Sequence, residues 1–136
     1  LLVDVTNGER PDGAPVTVTL IGGDIHFAYV APVELPEPCV STVRQVVCSP
    51  IRNILRTRER RAMSFGVSRV GRRVGRWLMA CAHRDASTLR WELSDGPVYD
   101  NNIGTIRFDG RQWDLTIEVA TIADDGAHVL RPAITC

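Results

Sequence analysis

The sequence predicts a mixed α/β fold in which strands outnumber helices. Two stretches rich in alternating β-branched residues, 16–48 and 89–134, flank a central stretch, 51–83, whose apolar residues recur at helical spacing. Turn-forming residues divide the flanking stretches into segments of strand length. With 136 residues, of which 44% are hydrophobic and 24% charged, the chain has the size and composition of one globular domain.

Three strands are predicted in the first stretch. Residues 16–21 alternate and then become apolar, which indicates a largely buried strand. Residues 27–33 form the second strand, which prolines from Pro32 onward are expected to close. Residues 43–48 form the third, and a Ser-Pro pair ends it.

Residues 51–83 are predicted to be helical and rich in arginine. Between Arg52 and Arg76 there are nine arginines and one acid, Glu59, and the arginines lie mostly opposite the apolar positions. Three glycines indicate two helices, or one helix broken near residues 64–68. The arginine face is either a solvated surface whose stems cover apolar groups, or a binding surface for a phosphate-rich polymer or an acidic partner. The glycines also fit a mobile cover over a neighbouring site.

The last stretch is predicted to be a β meander. Residues 89–93 form a short strand before a turn at 94–97, and residues 102–108 and 112–121 form a hairpin. Asp109-Gly110 supplies the positive φ angles of its tight turn. A turn at 124–126 leads to a final strand at 128–134.

Bulk properties limit the partners that are expected. The net charge is zero, so nucleic acid is not indicated, and no apolar run reaches the roughly 18 residues that span a bilayer, so no membrane partner is predicted. The four cysteines lack C-x-x-C spacing, and free thiols in a reducing compartment are the first interpretation, with a Cys39–Cys48 bridge as the alternative. No signal peptide is visible, which favours the cytoplasm.

The tetrapeptide Gly23-Asp24-Ile25-His26 is the strongest candidate for chemistry. It follows a predicted strand, and the carboxyl ends of strands are where open α/β sheets place ligands. A carboxylate and an imidazole are suitable ligands for Zn, Fe or Mn. The structural alternative is an Asp cap and a half-buried His bonded to a carbonyl group.

Three blocks along the chain, residues 19–29, 45–53 and 96–101, together resemble alkaline phosphatase D-type metallophosphatases of the calcineurin-like phosphoesterase superfamily. Residues 19–29 are similar to the last metal-binding block of that family, an S-G-D-V-H-like segment before an aromatic strand. Residues 45–53 are similar to its S-P-x-R-N-like stretch, and residues 96–101 to its G-P-x-x-D-N segment. The blocks occur in family order, and the resemblance covers roughly residues 16–120.

The resemblance implies that residues 1–136 are the C-terminal portion of one metallophosphatase domain, a β-sandwich flanked by helices. In this portion 16–50 would carry the metal-ligand loop, 51–83 the helical segment and 89–136 the meander. The family hydrolyses phosphate esters at a two-metal site, with Fe, Zn, Mn or Ca as candidate metals. His26 would bind one metal, and Asp24 would bind the other or support a ligand. Tyr29, Arg52 and Asn53 are candidates for lining the site. Relatives of the classical type are exported, so a secreted full-length enzyme is also compatible.

Most ligands of the superfamily are missing from the chain. Its early D-x-H, central G-D-x-x-D and N-H-D/E blocks do not occur. The expected site therefore depends on a preceding N-terminal part of the domain. The chain alone is expected to show no metal-dependent phosphatase activity.

A non-catalytic module is the alternative. Tyr99-Asp100-Asn101-Asn102 resembles the D-N-N loop of starch-binding β-sandwich modules, where Asn amides bond sugar hydroxyls beside an aromatic such as Trp91 or Trp113. The long helical segment has no place in so small a module. An inert scaffold derived from a phosphatase is the third possibility.

Overall fold

The computed structural model describes residues 2–8, 13–36, 39–52, 55–84, 90–110 and 112–136. These residues form three helices and eight strands, so the mixed α/β class with strands in the majority is confirmed. The elements are α1 (Leu2–Thr6), β1 (Thr17–Gly22), β2 (Ala28–Glu34), β3 (Thr42–Val47), α2 (Thr57–Val67), α3 (Arg69–Cys81), β4 (Arg90–Trp91), β5 (Asp95–Val98), β6 (Asn102–Asp109), β7 (Gln112–Ile122) and β8 (His128–Thr135). No helix among the described residues is long and apolar enough to cross a membrane.

The strands form two sheets. The first has the order β1-β3-β2-β4, and β5 also pairs with β2. Its β1 and β3 are parallel, whereas β2 runs antiparallel to β3, β4 and β5. The second sheet is the antiparallel meander β6-β7-β8, and its first hairpin turns at Asp109-Gly110 as predicted.

The core lies between the two sheets. Ala28, Val30 and Val46 of the first sheet form one buried cluster with side chains of the second sheet, which are Leu115, Ile117 and Ile134. The alternation of β7 explains this packing, because every second residue of a strand points to the same face. The two sheets therefore pack face to face.

The opposite face of the first sheet carries an aromatic cluster. Phe27, Tyr29 and Ala31 are buried there beside Val47. The Tyr99 ring packs against Phe27 with centroids 5.8 Å apart. Because β2 is buried on both of its faces, it is the central strand of the molecule.

The arginine-rich segment forms two helices that meet at Ser68, as one of the two interpretations predicted. The Ser68 hydroxyl accepts a hydrogen bond from the Gly71 N–H at 3.0 Å and so caps α3. Arg60 anchors α2 through an ion pair with Asp100 at 2.9 Å, and its guanidinium lies 5.7 Å from the centre of the Tyr99 ring. The helical segment begins at Thr57, later than the predicted residue 51.

Three predictions about strands are wrong. The first strand is not largely buried: β1 is an edge strand without a buried residue, and Ile21 is 66% exposed. The predicted turn at 94–97 is mostly strand β5, which pairs with β2 across a register shift. Pro32 does not close β2, because it falls in the gap between the parts of β2 that pair with β5 and with β4.

The four cysteines are free thiols, as one of the two interpretations predicted for the Cys39–Cys48 pair. Cys39 and Cys48 are half-buried, and Cys81 and Cys136 are exposed. The alternative Cys39–Cys48 bridge is not formed, since each thiol donates elsewhere, to the Ser41 carbonyl oxygen and the Asn102 side chain.

Candidate functional site

The Asp24-Ile25-His26 loop joins β1 to β2 and has an unusual backbone. Asp24 has φ 65° and His26 has φ 62°, so two residues with side chains adopt the left-handed conformation within three positions. Asp and His are among the residues found there more often than most, but each such residue still costs on the order of 1 kcal/mol. A loop of this kind persists only where neighbouring structure holds it.

The neighbouring structure is the segment that follows β3. Because β1 and β3 are parallel, with Gly22 opposite Val47, both strands end at the same edge of the sheet. The Cys48 N–H donates to the Gly22 carbonyl oxygen at 3.2 Å. The His26 N–H then donates to the Ser49 hydroxyl oxygen at 3.3 Å. Two loops distant in sequence thus meet at the carboxyl ends of adjacent strands, where α/β proteins bind ligands.

A hollow of about 330 Å³ lies between these loops. Asp24 on its rim is exposed and His26 is half-buried. The lining residues are Asp24, His26, Cys48, Ser49, Pro50, Ile51 and Arg52. The hollow therefore combines a carboxylate, an imidazole and a guanidinium, groups that can bind a metal ion and an anion side by side.

A buried asparagine holds the second loop. The Asn102 side chain is 3% exposed, and its Nδ2 donates to the carbonyl oxygens of Ser49 and Asp100, each at 2.8 Å. Its backbone N–H donates to the Pro50 carbonyl oxygen at 2.9 Å. The backbone carbonyl groups of Ser49 and Pro50, which form one wall of the hollow, are therefore hydrogen-bonded to the first residue of β6.

Cys48 lies in the hollow as a protonated thiol. Burial raises the pKa of the Cys48 thiol, a shift that a hydrogen bond from the Gly104 backbone partly opposes. Its Sγ donates to Asn102 Oδ1 at 3.1 Å. A raised pKa and a donated proton are the opposite of what an activated nucleophile needs. Cys48 therefore has a structural role.

The predicted site residues divide into three groups. Asp24, His26 and Arg52 come together in the hollow. Tyr29 is not among the residues that line it, because its side chain is buried on β2 and its hydroxyl donates to Gln45 Oε1 at 3.0 Å. Asn53 lies outside the described residues.

Sequence reasoning did not single out Ser49 or Asn102 as parts of the site. Both are short polar residues next to turn-forming sequence, and such residues are common in exposed loops. The signal that could have indicated Ser49 is the S-P-x-R-N-like block to which it belongs. Nothing in the sequence indicates that Asn102 contacts that block from 53 positions away.

The donor atoms of the hollow are too few for a complete metal site. Within the described ranges, no group of three or more His, Cys, Asp or Glu side chains is arranged to hold a metal ion. Asp24 and His26 fit two positions of a ligand set that mixes carboxylate and imidazole. A complete metal site would need further ligands besides these two.

The arrangement disfavours sugar binding by the D-N-N loop. The Asn102 amide already donates to two backbone oxygens and is buried, so it has no donor left for a sugar hydroxyl. Trp113 is half-buried, with the Arg44 guanidinium 4.8 Å from its ring centre. Only Trp91 has a largely exposed ring among the two aromatics that the sequence suggested.

Comparison of the chain with protein-family models, with curated proteins and with solved structures finds no match.

Proposed function

We propose that this chain is part of a metal-dependent phosphoric ester hydrolase of the alkaline phosphatase D type. The observation that carries the proposal is the convergence of two family-like segments, 19–29 and 45–53, on one hollow. Each segment resembles the family separately, as a linear string of residues. That residues of both line the same hollow is what a shared active site requires.

In the proposed site His26 would hold one metal ion, and Asp24 would hold the second or orient a ligand. A two-metal centre held there would supply a nucleophile near neutral pH and stabilise the charge of the phosphate oxygens. Arg52, which is exposed at the rim, binds a phosphate oxygen and draws the anionic ester into the hollow. The remaining ligands belong to an N-terminal part of the same domain, which also completes the metallophosphatase sandwich.

The residue chemistry favours a metal-dependent reaction over one that proceeds through a cysteine. Cys48 is the thiol in the hollow, and burial raises its pKa. A phosphatase that forms a phosphocysteine needs a thiolate with a lowered pKa. Hydrolysis by metal-activated water makes no such demand on the thiol.

The test uses the full-length protein, with the N-terminal part that the proposal requires. We expect hydrolysis of an aryl phosphate ester that a chelator abolishes. His26→Ala should lower kcat/KM at least about a hundredfold, because loss of a metal ligand exceeds the 10- to 100-fold loss typical of its supporting residues. The matched control is His128→Ala, which removes an exposed histidine of β8 and should leave activity unchanged.

The 136-residue chain alone should be inactive in the same assay. Activity of that chain, activity of the full-length protein that resists the chelator, or equal effects of the two histidine substitutions would each contradict the proposal.

A further inference from the structure

A second concave surface lies between α3 and β4, away from the hollow. It is a groove of about 930 Å³, and its lining shares no residue with the hollow. Six arginines line it: Arg69, Arg72, Arg73 and Arg76 of α3, Arg84 after the helix, and Arg90 of β4. We call this surface the arginine groove.

The positive charge of the arginine groove is largely uncompensated. Glu92 is the one acid among the described lining residues, and it pairs with Arg72 at 2.9 Å. Among the described lining residues, six guanidinium groups and one carboxylate leave a surplus of five positive charges. Like charges crowded into a cleft repel one another and focus a strong local potential. A bound anion removes that repulsion.

The spacing of the arginines suits an anion with several charges. Arg69 and Arg73, like Arg72 and Arg76, are four residues apart, so each pair lies on one side of the helix about one turn apart. The four span about 10 Å along the helix axis. Guanidinium groups bind phosphate oxygens in bidentate fashion, so this row fits two or three consecutive phosphates.

The opposite wall is apolar and aromatic. Trp91 is 57% exposed, and its ring stacks on Tyr29 with centroids 6.5 Å apart. The buried Tyr29 thus holds the indole in place and leaves its outer surface open. Leu93 extends the apolar lining of this wall, and Met79 adds an apolar side chain from α3. An exposed, fixed aromatic ring is a stacking platform for a planar group.

We propose that the arginine groove binds a nucleotide, with its oligophosphate on the arginines of α3 and its base on Trp91. The volume is in the range of small-molecule sites, roughly 300–1,000 Å³. A nucleic acid strand fits less well, because the chain has no net positive charge to attract a polymer and the described lining holds a single aromatic ring. The proposal does not depend on the phosphatase proposal.

The experiment measures binding of ATP, inorganic tripolyphosphate and adenosine to the chain by calorimetry, with chelator present so that metal-dependent hydrolysis plays no part. We expect ATP and tripolyphosphate to compete for one site and adenosine alone to bind far more weakly. Affinity for both anions should fall as salt rises.

Two sets of variants test the two walls. The double variant Arg73→Gln with Arg76→Gln should lower the affinity for ATP and for tripolyphosphate at least about tenfold, since each substitution removes charge-assisted hydrogen bonds. The control is Arg107→Gln with Arg131→Gln, which removes two exposed arginines of the second sheet and should change neither affinity. Trp91→Ala should lower the affinity for ATP about tenfold and leave the affinity for tripolyphosphate unchanged. Trp91→Phe should restore the affinity for ATP.

Absence of saturable tripolyphosphate binding would overturn the proposal. Equal losses of affinity in the two double arginine variants would also overturn it. If Trp91→Ala lowers the affinity for both anions equally, or for neither, the base does not stack on Trp91 and the nucleotide proposal fails. All substituted side chains are exposed, so each variant should remain folded, which circular dichroism checks.

Discussion

Asn102 shows how one buried side chain can set the shape of a site without lining it. Its amide nitrogen donates hydrogen bonds to the carbonyl oxygens of Ser49 and Asp100, and its amide oxygen accepts one from the Cys48 thiol. A buried polar group stabilises a fold only when its hydrogen bonds are formed, and the Asn102 side chain forms three of them. The loop that holds Ser49 in contact with the His26 N–H therefore depends on a residue of the second sheet.

Asn102→Ala should lower the free energy of unfolding by about 2–3 kcal/mol, because it removes the amide donor from the buried contact with the Ser49 carbonyl oxygen and from the partly buried contact with the Asp100 carbonyl oxygen. Asn101→Ala is the matched control. Its side-chain oxygen is a buried atom without a hydrogen-bond partner in the described part of the chain, so its loss should cost less than about 1 kcal/mol. Chemical denaturation of both variants measures the difference, and equal losses would show that the Asn102 hydrogen bonds contribute little.

At the scale of elements, the junction of α2 and α3 depends on a glycine. Gly71 lies in the first turn of α3, directly against the last turn of α2. A Cβ atom at this position would overlap the Phe65 carbonyl oxygen and come within 2.8 Å of the Phe65 carbonyl carbon. The close approach lets Ser68 end one helix and cap the next.

Gly71→Ala should therefore destabilise the helix pair, at a cost of about 1–3 kcal/mol typical of forced overpacking. Gly75→Ala is the matched control in the same helix and should have the opposite effect on stability. Nothing lies within 4 Å of a Cβ at Gly75, so alanine should stabilise α3 by about 0.5–1 kcal/mol. Helical ellipticity and the midpoint of thermal unfolding measure both changes. A stabilising Gly71→Ala would contradict the packing described for this junction.

At the scale of the whole molecule, α3 has its charged and apolar faces in unusual places. Its arginines line the arginine groove, whereas Val70, Val74, Trp77 and Leu78 on the other side are exposed. Helices of globular proteins ordinarily turn their apolar face to the core. Neither α2 nor α3 has a buried residue, so ion pairs and hydrogen bonds rather than apolar burial connect them to the sheets.

This difference in burial predicts uneven local stability. Amide hydrogens of residues 57–81 should exchange with solvent much faster than those of β2, β3 and β7, because local opening is easiest where few apolar contacts are lost. Hydrogen exchange followed by mass spectrometry measures this directly. Equal protection of the helices and the central strands would mean that the molecule opens as a single unit.

The local sequence pattern determined much of the secondary structure and part of the core. Alternation places Leu115 and Ile117 in the core, Asp109-Gly110 ends the β6–β7 hairpin, and the helical spacing indicates the Arg-rich segment, because side-chain periodicity and turn geometry are local properties. The sequence also drew attention to Asp24, His26 and Arg52, which do meet in one hollow.

Only the tertiary structure decided what is covered and what lies close together. The end of β1 from Leu20 to Gly22 is exposed because this edge strand is paired on one side only. Residues 95–98 become a strand because β2 offers them a free edge. The Ser49–Asn102 contact and the arginine groove both join segments distant in sequence. Burial and proximity depend on which elements become neighbours, and periodicity along one segment carries no information about its neighbours.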